Sequence, residues 1–261
     1  MIPRVFHRIW LGEEPMPEEF VAYGETWRRH HPDWTMELWT EERLPALRHP
    51  DAFERGRNHS ERSNVLRYEL LWQLGGVYID TDMECLRPID PLLDSVCAFA
   101  GSTRPGRIGS AIVGSVPGHP AFERAVELVP QGVAGGGRQT EETGPGFLTA
   151  ILADFPDVTV FPAAYFYPYR HDEKHLRGQE FPDAYAVHHW TKTWESYDEL
   201  RARVERLQRK LGRREARLEE VKRARDRAVS RRKAIEGSRW WRLGGAAAAA
   251  ARAVRRRSGR A

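Results

Sequence analysis

The stretch from Ser60 to Leu86, SERSNVLRYELLWQLGGVYIDTDMECL, constrains the fold more than any other part of the chain. Val65, Leu66, Leu70, Leu71 and Leu74 recur at helical spacing, Ser60 is placed to cap the first turn, and Gly75-Gly76 supplies the stop. Val77, Tyr78 and Ile79 then read as a short buried strand that runs straight into two aspartates one residue apart, Asp80 and Asp82. A helix that delivers the chain through a glycine turn into a strand predicts α/β order.

The flanking segments agree. In IPRVFHRIW, Val5, His7 and Ile9 alternate with Phe6, Arg8 and Trp10, which predicts a strand with Trp10 at its exit. A helical stretch with Phe20, Val21 and Trp27 follows, and then a second strand in which Trp34, Met36 and Leu38 alternate with polar residues. SVCAFAG, IGSAIVGS and VTVFPA read as further strands. The expectation is an α/β domain over residues 1–197 with a mostly parallel sheet and flanking helices.

Composition changes at that boundary. Residues 1–197 carry 19 Lys and Arg against 29 Asp and Glu, whereas residues 198–261 carry 22 against 8. Over 198–236, Leu200, Val204, Leu207, Leu211, Leu218, Val221 and Ala228 keep a 4-3 spacing broken by Arg214 and Arg225. That pattern predicts one long charged amphipathic helix or short coiled coil, with possible homo-oligomerisation through it. Residues 237–261 form a basic tail rich in Trp, Ala and Arg.

Two cysteines, Cys85 and Cys97, are too few for a disulfide framework or a four-ligand zinc site, and read as small buried hydrophobes in a reducing compartment. The N-terminus lacks the pattern of a secretory signal, and no run of about 18 apolar residues is present. A cytoplasmic location is the expectation. Asn58-His59-Ser60 matches a glycosylation sequon by chance on that reading.

If the strand stays extended, Asp80 and Asp82 share a face with Tyr78. Two carboxylates so placed repel unless a cation lies beside them. Their hard oxygens suit Mn²⁺ or Mg²⁺, and open α/β sheets bind ligands at the carboxyl ends of their strands. A pair of solvated turn residues is the plainer alternative.

Four stretches in order, IPRVFHRIWLG, ERSNVLRYELLWQLGGVYIDTDM, TGPGFLT and AVHHWTKTW, make the chain resemble the DXD-containing glycosyltransferases of family 32. These are the bacterial capsular polysaccharide and yeast initiating mannosyltransferase type, with a Rossmann-like GT-A fold and distant similarity to clostridial glucosylating toxins. The resemblance implies that Asp80 and Asp82 hold the metal against the donor diphosphate and that Asp80 also contacts the donor ribose or sugar. Arg67 resembles the arginine that reaches the donor sugar and phosphate, and Trp10 the aromatic that stacks on the base. His188, rather than His189, resembles the histidine that completes the site, and Trp190 shares its face. Tyr78 and the Gly144-Pro145 loop are assigned to substrate, the latter on the acceptor side. The family carries aspartate where this chain has Asn64, which leaves the donor sugar open. It also implies retention of configuration, a nucleotide diphosphate sugar donor and a glycan or glycolipid acceptor.

Two other readings compete. Aspartate-nucleophile phosphatases also begin with Asp-x-Asp after a strand, but Glu84 stands where they have Thr or Val. A weakened transferase-like protein that only binds its donor is the other. Trp27, Trp34, Trp39 and Trp72 read as core; Tyr165, Phe166, Tyr167 and Tyr169 fit either an acceptor platform or an ordinary turn. In the tail, Arg239, Arg242, Arg252, Arg255, Arg256, Arg257 and Arg260 flank Trp240, Trp241 and Leu243. This pattern suits an anionic membrane surface, with nucleic acid the less favoured partner. A peripheral place on the inner face of the plasma membrane is therefore expected.

Overall fold

A computed structural model describes residues 1–135, 137–191, 197–237, 243–244, 246–249 and 251–252. Two compact units divide the chain, Met1–Glu195 and Ser196–Ala261.

The first unit is built on a six-stranded sheet. Its strands are β1 (Val5–Ile9), β2 (Thr35–Trp39), β3 (Gly76–Ile79), β5 (Ala98–Arg104), β6 (Arg107–Ser115) and β7 (Thr159–Phe161), in the spatial order β2-β1-β3-β6-β5-β7. β1 runs parallel to β2 and β3, and β5 parallel to β7; only β6 is reversed, pairing antiparallel with β3 and β5. A separate two-stranded ribbon pairs β4 (Met83–Cys85) antiparallel with β8 (Ala186–His188). The helices are α1 (Glu18–His30), α2 (Pro50–Arg55), α3 (His59–Gln73), α4 (Pro120–Gly135), α5 (Gln139–Glu142), α6 (Pro145–Leu152) and α7 (Ala163–Phe166).

Two cores cover the two faces of the sheet. On one, Val65, Leu66 and Leu70 of α3 pack with Phe122 and Val126 of α4 and Leu148 of α6 against Ile9, Tyr78 and Val113. On the other, Trp27 of α1 packs with Phe6, Val77, Ile79 and Phe99, joined by Met83, Cys85 and Ala186 of the ribbon. Val77, Tyr78 and Ile79 thus alternate between the cores, as a strand covered on both faces requires.

Local details correct several expectations. The cap of α3 is Asn58, whose side chain accepts the Glu61 amide at 2.9 Å, not Ser60. Asn58 side chains make good caps because the amide oxygen replaces a missing carbonyl partner, so the sequon asparagine has a structural task. In β2 the buried residue is Trp39, while Leu38 is exposed. Cys85 is buried but Cys97 is exposed, so only one of the two behaves as a small hydrophobe. Phe166, Tyr167 and Tyr169 are buried, which removes the aromatic platform and leaves the core turn.

The glycine turn is demanded by geometry. Gly75 and Gly76 have φ of +66° and +88°, and a Cβ on Gly76 would lie 2.5 Å from Val5 Cγ1 and 2.8 Å from the Val5 carbonyl oxygen. Only glycine lets α3 hand the chain to β3 so close to β1.

In the second unit the described residues include the long helix α8 (Tyr197–Gly237), on which Leu207, Leu211, Leu218, Val221 and Ile235 are exposed. The side chains of Leu200, Val204, Arg239, Trp240, Trp241, Arg242, Arg255, Arg256, Arg257 and Arg260 lie outside the described residues. No described helix is long and apolar enough to cross a membrane.

Candidate active site

The parallel strands β1 and β3 end side by side, and the candidate site lies at that end. β3 stops at Ile79, and Asp80, Thr81 and Asp82 form a turn closed by the Met83 amide on the Asp80 carbonyl at 3.1 Å. The aspartates are therefore not two residues of an extended strand. Asp80 keeps the face of Tyr78, whose hydroxyl donates to Asp80 Oδ1 at 2.7 Å. Asp82 is carried by the turn toward the ribbon, where it is buried.

The ribbon brings in the distant partner. Met83 pairs with His188, and the His189 amide donates to the Asp82 carbonyl at 3.1 Å. Thr191 donates from its amide and its hydroxyl to Asp82 Oδ2, at 2.8 and 2.6 Å. His188 Nε2 lies 3.1 Å from Asp82 Oδ1 and 3.7 Å from Asp80 Oδ2. Each carboxylate thus has one oxygen fixed by protein donors and the other turned toward the imidazole.

Arg67 completes the charge balance from α3. Its guanidinium lies 3.3 Å from Asp80 Oδ1, donates to the Ser110 carbonyl on β6, and sits 4.2 Å over the Tyr78 ring. Tyr78 is buried, which raises its pKa well above the usual phenol value, so it stays a donor to Asp80.

The electrostatics of the trio pull in opposite directions. Burial raises the Asp82 carboxyl pKa, but His188 and the two Thr191 donors outweigh it and hold Asp82 far below the ordinary carboxylate range. Burial lowers the His188 pKa, yet Asp82 and then Asp80 carry it above 6.5. The imidazole thus holds its proton more tightly than an exposed histidine does.

That arrangement fits a divalent ion. One donor atom each from Asp80, Asp82 and His188 lies within 4.8 Å of the others, the sole such group among the described residues. Among the described residues buried His188 Nδ1 has no hydrogen-bond partner, so no acceptor fixes the tautomer.

The remaining predicted residues divide. Trp190 packs on His188 with ring centroids 4.2 Å apart, in a left-handed backbone conformation at φ +54° that a bulky residue rarely adopts. Asn64, one turn before Arg67 on α3, donates from Nδ2 to Thr143 Oγ1 at 3.1 Å, beside Gly144 and Pro145 at the start of α6. Trp10 stands at the exit of β1, edge-on to Phe20 and donating to the Glu14 carbonyl. His189 faces away, bonded to Glu84 and Tyr169 and stacked on Tyr23. Sequence reasoning did not find Thr191 or Ser110, because one acts through a loop hydroxyl and the other through a backbone carbonyl, neither of which leaves a pattern.

An α/β fold with paired aspartates at the carboxyl end of its sheet is the class that the geometry defines. Residues 17–98 match the family described as "Glycosyltransferase sugar-binding region containing DXD motif". It is 35% identical over 133 residues to mannosyl phosphorylinositol ceramide synthase CSH1 of Saccharomyces cerevisiae, covering 49% of this chain and 35% of that one. It is 32% identical over 136 residues to inositol phosphoceramide mannosyltransferase 3 of Schizosaccharomyces pombe, covering 50% and 38%. The matched stretch thus spans little more than a third of either relative. Among solved structures, the glycosyltransferase PaToxG overlays with a TM-score of 0.49 at 13% identity, over 59% of this chain and 70% of that one. The matched family segment contains Asp80 and Asp82 but ends before Thr143, His188 and Thr191.

Proposed function

We propose that the chain is a metal-dependent, retaining glycosyltransferase that moves a hexose from a nucleotide diphosphate sugar to a hydroxyl of a cell-surface glycan or lipid-linked acceptor. The observation that carries this is the convergence of Asp80, Asp82 and His188 beside the buried guanidinium of Arg67. A mannosyl donor is favoured by the two relatives named for mannose transfer.

Asp80, Asp82 and His188 hold Mn²⁺ or Mg²⁺ in this reading, and the ion when bound supplies positive charge to the leaving diphosphate. Arg67 places a second, fixed positive charge on the same side, prepaid by its bonds to Ser110 and Asp80. Tyr78 and Thr191 keep the two carboxylates oriented. Trp10 stacks on the base, a contact worth about 1–3 kcal/mol; Trp190 and Asn64 border the sugar, and Gly144-Pro145 the acceptor. No further carboxylate is assigned as a nucleophile, so departure and attack take place on one face of the sugar. The C-terminal tail holds the enzyme on the inner face of the plasma membrane.

Thermal stability with GDP-mannose, UDP-glucose, UDP-galactose and UDP-N-acetylglucosamine, each with and without Mn²⁺, tests the reading. Ligand at about 100 times its dissociation constant adds about 2.7 kcal/mol, a shift of several degrees at about 2–4 °C per kcal/mol. One donor should raise the midpoint only with metal, and the Asp80→Ala/Asp82→Ala protein should show no rise. Donor binding without transfer to any acceptor or water would point instead to a binding protein, with Asn64 as its mark.

A further inference from the structure

We infer that Arg8 is a positioning residue that clamps the metal-binding turn to helix α1, with Gly24 present to admit it. The inference rests on the metal-dependent reading of Asp80 and Asp82 and adds a residue that neither the paired aspartates nor the matched family segment contains.

Arg8 lies on β1 and is 5% exposed. One terminal nitrogen donates to two carbonyl oxygens, that of Phe20 on α1 at 2.6 Å and that of Thr81 at 2.8 Å. Thr81 is the residue between Asp80 and Asp82, so the bond reaches the middle of the turn itself. Elsewhere in the turn, the Asp80 amide donates to the Ala111 carbonyl at 2.7 Å, and the Asp80 and Asp82 carbonyls accept from the Met83 and His189 amides. Arg8 fixes the remaining backbone carbonyl of the turn.

The second nitrogen explains an otherwise costly residue. Gly24 sits inside α1, where glycine weakens a helix. A Cβ there would come within 2.2 Å of Arg8 Nη1, so alanine and the guanidinium cannot share the space. Arg8 Nε is buried without a partner, and among the described residues no carboxylate pairs with the group within 4.0 Å. Burial, followed by the charge of Arg28, lowers its pKa to about 10, which leaves it charged at neutral pH. A buried cation satisfied by carbonyls, close enough to Asp82 to feel its charge, is expensive as a packing element alone. As a clamp it orders the turn, and that order is what supports the carboxylate pair.

The test uses the full chain and Mn²⁺ alone, titrated by calorimetry or by the electron paramagnetic resonance of the free ion. The variants are Arg8→Gln, Arg8→Lys, Gly24→Ala and the double variant Arg8→Gln/Gly24→Ala. Arg8→Gln should weaken Mn²⁺ binding by about 10- to 100-fold, the range for residues that support metal ligands, and Arg8→Lys should recover part of the loss. Gly24→Ala should weaken binding with the arginine still present. In the glutamine background the added methyl should change little, because the group it displaces is gone. Lowered thermal midpoints with unchanged Mn²⁺ affinity in Arg8→Gln and Gly24→Ala would overturn the clamp and leave the metal reading standing. If Arg8→Gln does not fold, Gly24→Ala and Arg8→Lys decide by the same comparison. Absence of Mn²⁺ binding by the unaltered chain would overturn the metal reading and the clamp together.

Discussion

At the residue scale the proposed metal-dependent reading sets a proton and a metal ion in competition for one place. Burial lowers the His188 pKa but Asp82 and then Asp80 outweigh it, so the imidazole keeps its proton to higher pH than an ordinary histidine, and a metal must displace that proton. Mn²⁺ affinity should therefore rise with pH through the raised His188 pKa. Calorimetry in buffers of different ionisation enthalpy should show proton release that fades above it. The same shift sets a stability trend. A folded-state pKa raised above the unfolded value gives stability that is complete below about pH 6.5 and is lost as pH rises through the folded pKa. The metal-free protein should thus lose thermal stability as the pH is raised through that window, and saturating Mn²⁺ should abolish the loss. Asp82→Asn should lower the His188 pKa, seen by NMR as a titration midpoint moved to lower pH, and should weaken Mn²⁺ binding. The aspartates themselves were plain in the sequence as a pair, but the reason they act together was not: a turn, not strand alternation, joins them. Strand alternation is a local rule, and the chain leaves β3 at Ile79, just before the rule would have applied.

At the element scale the unit that matters is α3, the glycine turn and β3. The periodic leucines of α3 and the apolar run of β3 made both elements legible, since burial against a sheet imprints helical and alternating patterns directly. The glycines carry a specific load. Gly76→Ala should cost about 1–3 kcal/mol in urea denaturation, because strain at φ +88° adds to contact with the Val5 backbone. Gly118→Ala, at φ +70° with nothing within 4 Å of the added Cβ, should cost less. Asn58→Ala should cost about 1 kcal/mol through loss of the α3 cap. Its role was missed because Ser60 is an equally good capping type two positions on, and only the path of the preceding loop decides between them.

At the scale of the whole molecule, the two units differ in charge as well as in structure. Residues 1–195 contain both hydrophobic cores. The remainder contains a helix with an exposed apolar line and the densely basic segment. Flotation with vesicles containing anionic lipid should recover the full chain at low salt and lose it when residues 237–261 are removed. Each basic residue near such a surface contributes about 1 kcal/mol. Recovery unchanged by the deletion would refute a membrane role for the tail.

By itself the sequence determined the element types, the α/β order, the aspartate pair at a strand end, and Arg67 one helix earlier. All of these follow from interactions between residues close in the chain or from burial patterns written along a single element. The tertiary structure alone decided that Asp82 is held by Thr191, 109 positions away, and that His188 faces the carboxylates while His189 turns to Glu84. It also decided that Arg8 reaches Thr81 across α1, 73 positions away. Such contacts have no local period: they arise when the β4–β8 ribbon docks and the sheet closes over α1, and packing in three dimensions selects them.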